Sequence, residues 1–187
     1  MIAKQLGVVA LVLGMSVAAG NAAEGLEKGT PKIQSAGPIT FGPEGVLFVG
    51  DPKSAATFAV DVMDTQGDPA SVSVNVPKLN EKVASLLGTQ ADQVQIVDLA
   101  VNPASGNTYL SVSRGRGPQA MPALLKVDAS GKLQEVSLKN VPFAKAQLPN
   151  APEDRVVGEG LRRGNNREMS TTDMAFVDGR VIVAGLT

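Results

Sequence analysis

One short phrase occurs three times along this chain, and the repetition constrains the fold more than any local propensity does. Residues 39–49, 99–112 and 174–183 each read as an apolar run, a tight turn punctuated by glycine, and a second apolar run. In the first copy Gly42-Pro43-Glu44-Gly45 makes the turn, with proline presetting φ and glycine admitting a positive φ. Further strands are predicted over 57–62, 71–76, 123–128 and 133–138. Ser71-Val72-Ser73-Val74-Asn75-Val76 alternates polar and apolar residues with the period of a strand wet on one face. Antiparallel strands in fours, repeating at intervals of tens of residues, predict an all-β fold built from β-propeller-type blades. Blade 1 falls at 38–76, blade 2 at 93–138, and a partial blade 3 at 172–187.

Two insertions carry the excess length. In residues 77–92, Leu79, Val83, Leu86 and Leu87 recur at helical spacing between Pro77 and Gly88, which predicts one short inserted helix over 78–87. Residues 139–171 are polar and rich in Arg, Gly, Pro and Asn, which predicts a mobile loop.

The N-terminus reads as a leader. Lys4 precedes an uncharged apolar run, and Gly20 and Ala22 then supply small residues for cleavage after Ala22. That is the pattern of a secretory signal peptide over 1–22, with residues 23–37 as a polar lead-in. An uncleaved anchor is the alternative, although a spanning helix needs about 20 apolar residues. The expectation is export, to the periplasm or beyond, with no membrane association past the leader.

Composition excludes more chemistry than any motif suggests. The formal net charge is −1, so nothing points to nucleic acid. Cys, His and Trp are absent. An exported chain without Cys has no disulfide framework. Without His there is no Ser-His-Asp triad, and without Cys and His there is neither a haem attachment nor an ordinary zinc site.

The phrase from Phe41 to Asp51 resembles secreted β-propeller repeats of the NHL and gluconolactonase-like kind. Asp98-Leu99-Ala100-Val101-Asn102-Pro103 is similar to the phrase that opens a blade in an uncharacterised group of exported bacterial propellers. The resemblance implies a propeller scaffold or a binding protein for an extracytoplasmic ligand or protein. The alternative it implies is a divalent-cation-dependent hydrolase of lactones or esters whose site needs further blades. A surface-layer or adhesion module is a third class. Propellers have about four to eight blades, and this chain supplies two and a half. The expectation is therefore an N-terminal fragment, or a chain that closes by assembly with others.

In a blade arrangement the long connections, 50–55, 77–92, 114–121 and 139–172, fall on one face, and function in such scaffolds lives on long loops. On that face Asp51, Asp98 and Asp173 could hold a hard cation such as Ca²⁺, which takes oxygen ligands. The competing role is structural, each Asp accepting backbone N–H groups of its own loop. Arg114 and Arg116 could grip a carboxylate or phosphate, as could Arg162, Arg163 and Arg167 in the long loop. Against that, nearby Glu153, Asp154, Glu159 and Glu168 suit a solvated loop. The balance favours binding over catalysis by this chain.

Overall fold

The structure, a computed structural model, describes residues 11–13, 25–160 and 163–187. It is organised around the strand Val46–Asp51 (β4), every residue of which is buried. Alternate side chains of a strand point to opposite faces, so Leu47 and Val49 enter one apolar cluster while Val46 and Phe48 enter another. Each such side chain, fully buried, contributes about 1.5–3 kcal/mol.

β4 lies within a five-stranded antiparallel sheet with Glu27–Gly29 (β2), Ile39–Phe41 (β3), Ala56–Asp61 (β5) and Val141–Gln147 (β10). The strand order is β2-β10-β5-β4-β3. A second sheet runs in chain order through Val94–Val101 (β6), Thr108–Arg114 (β7), Met121–Val127 (β8) and Leu133–Glu135 (β9). A third comprises Leu11–Leu13 (β1), Arg180–Ala184 (β14) and Asp173–Val177 (β13), in that order. Val156–Val157 (β11) and Gly164–Asn165 (β12) form a small ladder.

The layers follow from the apolar clusters. Phe41, Leu47, Val49 and Phe58 of the five-stranded sheet meet Tyr109 and Leu124 of the second sheet. On its other face Phe48 and Ala59 meet Met174, Val181 and Val183 of the third. The helix Leu79–Leu87 (α1) covers the outer face of the second sheet, where Val83, Ala84 and Leu87 pack on Val94, Leu110, Val112 and Leu125. Gly88, at φ 64°, ends the helix in the left-handed conformation that glycine adopts without a Cβ penalty.

The architecture corrects the expectation of an all-β propeller. The fold is mixed, with one α-helix and four open antiparallel sheets among the described residues, and no sheet set closes as repeated blades. The recognition of propeller blades fails most plainly at blade 1. Its expected fourth strand, 71–76, joins no ladder. Val74 and Val76 instead pack against the cluster beneath α1, so their alternation reflects side-chain burial without backbone pairing. The place beside β5 is taken by β10, from a segment expected to be a loop, and β10 pairs in turn with β2 from the lead-in. The scaffold function and the blade-dependent hydrolase both rested on that architecture, and both go with it. No helix among the described residues is long and apolar enough to cross a membrane. The leader expected at 1–22 lies outside the described residues except for β1.

Candidate functional site

Between the five-stranded and four-stranded sheets the apolar layer opens into a cleft of about 390 Å³. Val49 of β4, Ser111 of β7 and Leu124 of β8 line it from the sheets. One wall is the segment between β2 and β3, through Pro31, Ile33, Ser35 and Ala36. The opposite rim runs from Glu135 to Lys139.

Ser111 gives the cleft its chemistry. It sits two residues from Tyr109 on β7, so both side chains face the five-stranded sheet. Ser111 is 1 % exposed, and its hydroxyl has no hydrogen-bond partner among the described residues. Buried hydroxyls are ordinarily paired, and an unpaired one costs about 1–3 kcal/mol. A donor and acceptor that the fold leaves unused therefore borders a cleft with apolar walls at Ile33, Val49 and Leu124 and polar groups at Ser35, Glu135, Ser137 and Lys139.

The sequence singled out Asp51, and the structure ties it to the cleft wall. Asp51 is fully buried at the end of β4. Its Oδ2 accepts the Gln34 N–H at 2.8 Å, and its Oδ1 accepts the Ser35 N–H at 3.0 Å and the Ser35 hydroxyl at 2.6 Å. The Ser54 N–H donates to Oδ1 at 3.3 Å, and the Ser54 hydroxyl donates to Oδ2. The carboxylate thus holds residues 34–35 in place between Ile33 and Ala36 of the wall. Gly37 completes the fit, because a Cβ there would stand 2.4 Å from the Gly50 carbonyl oxygen.

The other expected residues lie elsewhere. Asp98 Oδ2 accepts the Ile39 N–H at 2.8 Å and Oδ1 accepts the Leu99 N–H at 2.8 Å, pinning β3 to β6. Asp173 Oδ1 accepts the Met174 N–H at 2.8 Å. Among the described residues no three acidic side chains gather into a group able to hold a metal ion. Arg114 donates to the Leu87 carbonyl oxygen at 3.1 Å, at the end of α1. Arg116 donates to the Asp92 carbonyl oxygen through Nε at 3.1 Å and Nη2 at 2.9 Å. Both guanidiniums serve the junction between the helical insertion and the second sheet. Arg162 lies outside the described residues.

A polar hub that sequence reasoning missed centres on Asp64. Its carboxylate accepts Ser105 Oγ at 3.0 Å, Asn107 Nδ2 at 2.9 Å and the Tyr109 phenol at 2.8 Å. Lys126 Nζ stands 4.0 Å away, and Asn102 Nδ2 donates to the Asp64 carbonyl oxygen at 2.7 Å. Burial alone would raise the Asp64 pKa, but the three hydrogen bonds and the Lys126 charge together hold it below its ordinary value. Burial and the Asp64 carboxylate push the Tyr109 phenol far above its own. The only signal in the sequence was Asn102 to Asn107, a turn dense in residues that bond backbone, but its partner 38 residues earlier had none.

Neither a protein-family model, nor a curated protein, nor a solved structure matches the chain.

Proposed function

We propose that this chain is an exported binding protein that takes a small amphipathic molecule into the cleft between its two larger sheets. The unpaired, buried hydroxyl of Ser111 carries the proposal. A ligand with an apolar body fits against Ile33, Val49 and Leu124, and a polar atom on it pairs with Ser111 once the side chains that bury that hydroxyl give way. The cleft falls within the range of about 300–1,000 Å³ usual for small-molecule sites, which combine apolar walls with a few placed polar groups. Export rests on the leader pattern of residues 1–22.

Anilinonaphthalene sulfonate, an apolar fluorophore with one anionic group, is a suitable probe. Titrated into the native chain well below its melting temperature, it is expected to give a saturable, one-to-one enhancement. Ser137→Trp, at an exposed position on the rim, should abolish that enhancement while leaving the melt unchanged. Enhancement that does not saturate, or that survives Ser137→Trp, would refute the cleft as the site.

A further inference from the structure

β14 makes two ladders. Its inner edge pairs with β13, and its outer edge takes β1 antiparallel, with Leu11 opposite Val183, Val12 opposite Ile182 and Leu13 opposite Val181. β1 lies inside the segment read as a cleavable leader. We propose that, once residues 1–22 are removed, the outer edge of β14 pairs with the same edge of a second copy of this chain, across a two-fold axis at Ile182. The proposal rests on the export reading above, because export is what removes β1.

The occupant follows from the pairing already present. The edge accepts an antiparallel apolar strand, and a two-fold axis supplies one. In that register Val181 stands opposite Val183 of the second copy and Ile182 opposite Ile182. Val-Ile-Val thus replaces the Leu-Val-Leu of β1, with better β-forming residues. Directly opposed residues of an antiparallel pair point to the same face. Val181 and Val183 both face the core, so the cores of the two copies lie on the same side of one continuous four-stranded sheet. Charge does not oppose it, since Arg180 falls opposite Ala184 and the two guanidiniums sit at opposite ends of the seam. A bare Val/Ile edge is one that natural proteins cover.

Sedimentation of the chain 23–187 from micromolar to millimolar concentration tests the proposal. A reversible monomer–dimer equilibrium is expected. Ile182→Lys and Ile182→Glu should each weaken association by about tenfold or more, because like charges then meet on the axis. An equimolar mixture of the two should restore the dimer, which only a 182-to-182 contact explains. Ala184→Glu keeps the test open if either variant melts poorly: it sets a carboxylate opposite Arg180 of the second copy and should tighten the dimer. A chain that stays monomeric, or dimers indifferent to all of these changes, would overturn the proposal. Mass spectrometry of the exported protein reads the premise separately. A retained N-terminus overturns the export reading and the proposal with it, whereas a cleaved N-terminus on a monomeric chain overturns the proposal alone.

Discussion

The Tyr109 phenol donates to the Asp64 carboxylate at 2.8 Å, and together with the Ser105 and Asn107 bonds to the same carboxylate it ties the segment after β5 to the start of β7. Tyr109 also meets Phe41 edge-on, with ring centroids 5.1 Å apart, so the same side chain joins the polar hub to the core between the sheets. The chain leaves β5 toward Asp64, and the edge of β5 away from β4 pairs with β10. Tyr109→Phe removes a hydrogen bond to a charged group and should destabilise the chain by about 2 kcal/mol in urea unfolding.

Acid should loosen the hub in a defined direction. The native pKa of Asp64 is depressed, so its contribution is fully present above the ordinary carboxyl value of 3.8 and is lost as pH falls through the native value. Thermal melts across that range should show the loss in the parent chain. Asp64→Asn should be less stable at neutral pH, with a shallower acid dependence. Parallel acid profiles for the two would show that Asp64 is not the group responsible.

Alkali gives a cleaner spectroscopic test, because Tyr109 is the sole tyrosine and there is no tryptophan. A raised native pKa contributes stability below the ordinary phenol value of 10.0 and loses it as pH rises toward the native one. Tyrosinate absorbance should therefore develop only together with unfolding seen by circular dichroism. A tyrosinate step in a chain that remains folded would contradict the hydrogen bond.

Local features were legible in the sequence where their cause is local. The turns at Gly42–Gly45 and Asp178-Gly179 lie where glycine and proline place them, and α1 ends at Gly88. Leu86, counted with the apolar helix face, is exposed, and Ala84 takes the buried place. Partners were not legible. Val74 and Val76 have the period of a strand but find side chains and no ladder, while Val141–Gln147 pairs with a strand more than eighty residues earlier. The cleft was invisible for the same reason: Ser111 is one serine in an ordinary strand until two sheets close over it. Asp51 was visible as a residue, but not the five donors that give it its place.

Asp51→Ala should leave those partly buried donors without their acceptor and cost about 3 kcal/mol. It should also release the wall segment, so probe affinity falls even when the variant is folded at low temperature. Hydrogen exchange at the Gln34 and Ser35 amides reads this directly: both should be protected in the parent chain and exchange freely in the variant.

Arg114→Ala should have a small, local effect. Losing the bond to the Leu87 carbonyl oxygen should cost about 1 kcal/mol and speed amide exchange in the last turn of α1, with probe binding unchanged. Loss of probe binding in this variant would place the ligand at the guanidinium instead of the cleft.

Ser111 tests the cleft most directly, through melting of Ser111→Ala with and without saturating anilinonaphthalene sulfonate. Removing a buried hydroxyl that has no partner in the fold should raise the stability of the free chain by about 1 kcal/mol. The same change should shrink the stabilisation that the probe confers. Thr171→Val, which removes the other unpartnered buried hydroxyl among the described residues, one outside the cleft lining, should leave the probe effect intact. A Ser111→Ala chain that melts lower than the parent and keeps the full probe-induced shift would contradict Ser111 as the group held ready for a ligand.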